Sequence, residues 1–247
     1  MYKALVTSGC SFSLYDPSEE GHPHGWPYFL QQKLLSEGTL PEDFSSFHRG
    51  LGGNGNMLIA RNTMEAISRL LDKGMNGEEI LCVVEWSGTN RHQFFIDNPT
   101  KETFQYDVGI RFEDGEYKDL SESKTNGYYL VNQPSDLNLK FQSHINDVIE
   151  SLWHWTTLQN YCEVNNIKPY YTFMFEHDKE LLLDDDLGDP WAWKYLRDNI
   201  ITDNVLTSIT KYLNEHSFKN LFMADGHPSK RGHKVFSEYL RKSLTSI

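Results

Sequence analysis

With 247 residues, 38% of them hydrophobic and 13% aromatic, the chain has the material for a substantial core, which argues against wholesale disorder. Its net charge of −12 points away from nucleic acid and from anionic membrane surfaces, because phosphate contacts need clustered Lys and Arg. No apolar run reaches the length of about 18 residues that a transmembrane helix needs.

In chain order, the first signal is an apolar, β-prone run, Lys3-Ala4-Leu5-Val6, that stops at Thr7-Ser8-Gly9 and gives way to Cys10-Ser11-Phe12-Ser13. Ligands of open α/β sheets sit just past the carboxyl ends of strands, so Ser11 stands where a nucleophile is placed. The competing reading is a serine that caps a helix. The early stop also denies the N-terminus the long apolar segment of a signal peptide, and the expected location is cytoplasmic. Residues 26–36 have helical spacing, preceded by the loop Gly21-His22-Pro23-His24-Gly25. His22 and His24 lack a third ligand nearby, which favours a loop over a metal site.

Gly50-Leu51-Gly52-Gly53-Asn54-Gly55-Asn56 is the most unusual composition in the chain, and a helix from Met57 to Leu71 follows it. The segment lacks the Gly-Lys-Ser/Thr ending of a Walker loop. Turn formation accounts for part of its glycine content, and close approach of backbone to a ligand for the surplus. Residues 79–86 form the clearest strand, apolar on both faces like a buried parallel one, and end in Ser87-Gly88-Thr89-Asn90-Arg91. Periodicity fades over 92–140, where short β-like pieces such as Ile110-Arg111-Phe112 and Tyr128–Val131 suggest an inserted cap.

A long amphipathic helix is predicted over 141–158 and a strand over 169–175, ending in Glu176-His177-Asp178. Asp184-Asp185-Asp186 lacks EF-hand spacing and reads as a solvated loop. Helical segments fill 191–213. Leu221-Phe222-Met223 then leads into Ala224-Asp225-Gly226-His227-Pro228 and a closing helix. The strand–helix alternation runs from end to end, so 1–247 reads as a single domain built on a parallel sheet, with the insertion at 92–140. Cys10, Cys82 and Cys162 are too scattered for a disulfide framework or a zinc site and suggest buried thiols in a reducing compartment.

Strand-end loops thus carry separate pieces of one chemistry. Ser11 can attack a carbonyl once a base takes its proton, and His227 has the imidazole for that task. The backbone N–H groups of Ser11 and Gly53 and the side-chain amide of Asn90 can supply the donors that a tetrahedral intermediate needs.

This arrangement resembles the SGNH hydrolases, the GDSL-type esterase/lipase superfamily. Gly9-Cys10-Ser11-Phe12-Ser13 is similar to the family's Gly-Asp-Ser-Leu-Ser segment, Gly52-Gly53-Asn54-Gly55 to its glycine loop, Gly88-Thr89-Asn90 to its Gly-x-Asn segment, and Asp225-Gly226-His227-Pro228 to its terminal Asp/His segment. The resemblance implies a three-layer α/β/α sandwich with a central, mostly parallel, flavodoxin-like sheet. It also implies Ser11 as nucleophile, His227 as base, an oxyanion hole of Ser11, Gly53 and Asn90, and neither metal nor cofactor.

Two departures stand out. Cys10 replaces the usual Asp, which raises a thiol nucleophile; neighbouring residues leaving a strand point to opposite sides, so a cleft-facing Ser11 puts Cys10 in the core. The family's acid normally stands three residues before the histidine, where this chain has Ala224, and Asp225 is two before. Asp225 then either completes a triad through a different turn or caps that turn, leaving His227 in a dyad. His233, in the last helix, is a rival base whose position suggests packing or helix-end capping. The expected activity is hydrolysis of a small-molecule or glycan ester, most plausibly of a small acyl group such as acetyl, with the aromatic residues of the cap either stacking on sugar rings or packing the cap's own core. The alternatives are acyl transfer and a non-catalytic glycan-binding module on the same fold.

Overall fold

The computed structural model describes residues 2–13, 25–50, 54–89, 91–96, 108–111, 127–131, 144–183, 191–216 and 219–245. The loop with His22 and His24, the aspartates 184–186, Gly53, Asn90 and the cap residues Phe104, Tyr106 and Tyr117 lie outside these.

Strands β1 (Ala4–Gly9), β2 (Ser45–Gly50), β3 (Ile80–Trp86) and β7 (Pro169–Phe173) form a parallel sheet in the order β2-β1-β3-β7. Val205 adds a parallel bridge to Tyr171 at the outer edge of β7. The chain steps from β1 to β2 on one side and to β3 on the other, which opens a crevice at the carboxyl ends, where α/β folds place their ligands.

Residues in alternation along the strands feed two separate cores. Ala4, Val6, Ile80, Cys82, Val84, Tyr171 and Phe173 face helices α2 (Asn56–Leu71) and α3 (His144–Val164), where Ile59, Ile67, Leu152, Trp155 and Leu158 are fully buried. Leu5, Leu81, Val83 and Tyr170 face α1 (Trp26–Ser36), α6 (Ile209–Glu215) and α7 (Lys230–Thr245), through Trp26, Leu30, Ile209, Phe236 and Leu240. A sheet covered on both faces makes three layers, and it explains why β3 has no polar alternation. Cys82 and Cys162 are buried within the first core.

Two shorter helices, α4 (Glu176–Leu183) and α5 (Trp191–Asp198), complete the described helices. In the insertion, β4 (His92–Ile96), β5 (Val108–Arg111) and β6 (Gly127–Val131) form an antiparallel sheet in the order β4-β6-β5. Among the described residues no helix is long and apolar enough to cross a membrane.

Two features correct the sequence reading. β2 carries no apolar pattern, because its outer edge has no strand partner among the described residues and its side chains are only partly covered. Its polar residues are nonetheless placed: Thr7 and His48 are register partners, with Thr7 Oγ1 2.7 Å from His48 Nδ1, while His48 Nε2 lies 2.6 Å from Gln31 Oε1. Glu176-His177-Asp178, read as the ending of the preceding strand, opens helix α4.

Candidate active site

Ser11 begins a single turn of 3-10 helix, Ser11–Ser13, directly after β1. Ser13 closes this turn by donating both its backbone N–H and its hydroxyl to the Cys10 carbonyl, each at 3.0 Å. The turn folds back so tightly that a Cβ on Gly9 meets Ser13 Oγ at 2.3 Å, and one on Gly50 meets the Ser13 carbonyl oxygen at 2.3 Å. A Cβ on Gly55 meets the Arg91 carbonyl oxygen at 2.4 Å. At Gly50 and Gly55, therefore, the glycines admit neighbouring protein backbone. The approach of a ligand, expected for the surplus of glycines in this loop, falls on Gly52 and Gly53, which lie outside the described residues.

His227 reaches the same place from the far end of the chain. Its Nε2 lies 2.9 Å from Ser11 Oγ, and its ring packs against Phe12 with centroids 4.9 Å apart. The loop that carries it is closed by Met223 N–H donating to the His227 carbonyl and by a bridge between Phe222 and Pro228. Gly226, in the left-handed region at φ +85°, turns the chain between Asp225 and His227. Asp225 can then curl back: its Oδ1 accepts the His227 backbone N–H at 3.1 Å, and its Oδ2 comes within 3.3 Å of Nδ1. The Nδ1 contact has ion-pair distance but not hydrogen-bond direction, since Nδ1 has no aligned acceptor. The same backbone bond, followed by the imidazole's charge, holds the Asp225 carboxyl below its ordinary range. Ser11, His227 and Asp225 are thus brought together, despite the two-residue spacing.

Cys10 points away from them. It is fully buried, with Sγ 3.4 Å from both Glu85 Oε1 and Met174 Sδ. Burial, and then the negative Glu85, push its thiol up to about 12. It stays protonated at neutral pH, which removes the thiol as nucleophile. His233 is also buried, and burial followed by the charge of His227 lowers it to about 3. Packed inside, it has no route to a substrate.

Polar side chains that the sequence reading passed over tie the strand ends together. Asn54 Nδ2 donates to the Gly9 carbonyl at 3.1 Å. Asn56 clamps Ser87 from both sides, accepting its N–H at 2.9 Å and donating to its carbonyl at 3.4 Å. Asp178 Oδ1 accepts the Thr89 N–H at 3.4 Å, next to Asn90. Their signal was their position: asparagines around glycines, and an aspartate in the first turn after a strand. Beside His227 lies a depression of about 440 Å³ lined by Phe175, His177, Lys211, Asn214, Phe222 and Gly226. Among the described residues no group of three or more His, Cys, Asp or Glu is placed to hold a metal ion.

Neither a protein-family model nor a curated protein matches this chain. Solved structures do. A psychrotrophic esterase, EstA, from a Pseudoalteromonas species, determined inhibited by monoethylphosphonate, matches 99% of this chain and 97% of its own, with a TM-score of 0.50 and 11% identity. The YxiM protein of Bacillus subtilis matches all of this chain with a TM-score of 0.53 and 9% identity; the match covers 58% of that protein's chain. At such identities the likeness is one of fold alone: a parallel sheet between two layers of helices.

Proposed function

We propose that this chain is a serine esterase of the SGNH type that removes a small acyl group, acetyl foremost, from a carbohydrate or related metabolite. The observation that carries the reading is the 2.9 Å approach of His227 Nε2 to Ser11 Oγ at the carboxyl end of β1. In this cycle Nε2 accepts the Ser11 proton as Oγ attacks the ester carbonyl, while the other ring proton sits on Nδ1, facing Asp225. The backbone N–H groups of Ser11 and Gly53 and the amide of Asn90 receive the oxyanion. Imidazolium then protonates the departing alkoxide, leaving an acyl group on Ser11. Water, deprotonated by His227, releases the acid and restores the serine.

An esterase among the structural neighbours agrees with this reading at the level of fold. The depression beside His227, lined by the rings of Phe175 and Phe222 and by polar side chains, suits an alcohol that has both a ring face and hydroxyls. A net charge of −12 suits a neutral ester better than a polyanion.

The test is labelling by a fluorophosphonate together with hydrolysis of p-nitrophenyl acetate. Wild type is expected to label and turn over. Ser11→Ala should lose labelling, and its turnover should fall by about a thousandfold or more. Labelling that persists in Ser11→Ala places the nucleophile elsewhere, and a wild type that binds glycans without labelling or turnover is a binding module.

A further inference from the structure

Beneath the serine the chain buries a carboxyl group that the cycle above leaves idle. Glu85 lies near the end of β3, 0% exposed, in a strand that is otherwise apolar. A carboxyl group so placed costs more than an apolar side chain of similar size unless its surroundings favour the anion. Here they do. Trp26 Nε1 donates to Oε2 at 2.8 Å, and the Cys10 thiol donates to Oε1 at 3.4 Å. The Cys10 backbone N–H adds a further favourable contact. A backbone amide and an indole only donate, so this set matches an ionised carboxylate, which only accepts.

The positive charge in range is Arg91, the residue after Asn90. Its Nη2 lies 3.9 Å from Met174 Sδ, the same sulfur that Cys10 touches, and its Nη1 is buried without a hydrogen-bond partner. Of the elements around Glu85, β1 thus presents the Cys10 thiol and the 87–91 segment presents the Arg91 guanidinium. Helix α1 presents the uncharged Trp26, and the end of β7 the uncharged Met174. Burial pushes the Glu85 carboxyl up to about 7, against the pull of Trp26, Cys10 and Arg91. A Cβ on Gly9 comes within 2.9 Å of Glu85 Cβ, so the glycine next to Cys10 makes room for this acid.

We propose that ionised Glu85 is a positioning residue for Ser11. Its carboxylate ties the turn that bears the serine to α1 through Cys10 and Trp26, and its attraction for Arg91 draws in the segment that follows β3. The nucleophile is thereby held fixed against the helix layer and the end of β3. The inference rests on the esterase reading, and it adds a second group whose proton state governs the rate.

The experiment measures p-nitrophenyl acetate hydrolysis and the rate of fluorophosphonate labelling from about pH 5 to about pH 9 for wild type, Ser11→Ala, Glu85→Gln and Trp26→Phe. In wild type, two groups must lose protons, so the acid limb of both profiles falls with a slope of about two in log rate. Glu85→Gln should lower kcat roughly tenfold to a hundredfold at the plateau, with KM changed little, and its acid limb should fall with a slope of about one. Trp26→Phe keeps the acid but removes a donor, so its acid limb should move to higher pH. Wild-type kcat and slope in Glu85→Gln overturn the proposal. If that variant does not fold by near-UV circular dichroism, an unmoved acid limb in Trp26→Phe overturns it instead. Loss of labelling in Ser11→Ala with Glu85→Gln unaffected defeats this inference alone; labelling retained in Ser11→Ala, or absent from wild type, defeats the esterase reading and this inference with it.

Discussion

The His227 ring is held on three sides by contacts of different kinds: a hydrogen bond to Ser11, the tilted ring of Phe12, and the Asp225 carboxylate at ion-pair distance. The carboxylate is the most exposed of the three, with 63% of its side chain open to solvent. Water screens such a pair, and its directional bond runs to the backbone instead of the ring. Asp225→Asn should therefore lower kcat for p-nitrophenyl acetate by only about tenfold, far below the loss of about 10⁴ known for a buried triad aspartate. A larger loss would mean that the ring turns to meet the carboxylate in the complex. The pairing of Ser11 with His227 was legible because four short segments stand in the order of the family they resemble; alone, Ser11 reads equally as a helix cap. The Asp225 geometry was not, since it depends on the left-handed turn at Gly226. Glu85 escaped notice because the strand around it was read as an unbroken apolar run. A lone acid in such a run is the signal to look for.

At the scale of elements, the crevice is braced by side chains that bind backbone. Asn56, at the start of α2, replaces the strand partner that Ser87 lacks beyond the end of β3. Asn56→Ala leaves a buried N–H and carbonyl without partners and should cost about 2 kcal/mol in urea unfolding, with a fall in kcat as the segment toward Asn90 loosens. A full retention of both stability and rate would show that another group takes over. Gly50 and Gly55 belong to the same bracing, since they let the backbone of Ser13 and Arg91 pass close by. Composition flagged that loop but not its purpose, because distant turns meet there only after the sheet has formed. Strand β2 was missed for a related reason: a half-covered edge carries no hydrophobic period, and its position comes from pairing with β1.

For the whole molecule, the same burial that shapes the site sets its response to acid. Burial lowers His48 from 6.5 to about 4 and His233 from 6.5 to about 3. Below pH 6.5 the unfolded chain takes up protons that these folded histidines refuse, so stability falls as pH drops toward 4. Glu85 works in the opposite sense: raised from 4.5 to about 7, it holds a proton in the folded state that the unfolded chain releases, so stability rises as pH drops from 7 to 4.5. Wild type should accordingly lose stability on acidification less steeply than Glu85→Gln, by a few kcal/mol at most, when urea unfolding is compared at about pH 7 and about pH 4.5. Equal losses would remove Glu85 as a titrating group. The layered fold itself was legible, because alternating apolar strands and amphipathic helices encode it over long stretches. Its structural neighbours keep that architecture at 9% and 11% identity.

The bond between Trp26 and Glu85 joins an outer helix to the floor of the crevice. The protein therefore contains its own optical gauge: an indole whose emission should respond when the acid next to it gains or loses a proton. Such a gauge needs no dye and no substrate, and it lets the state of the ground under the serine be followed in the protein at rest.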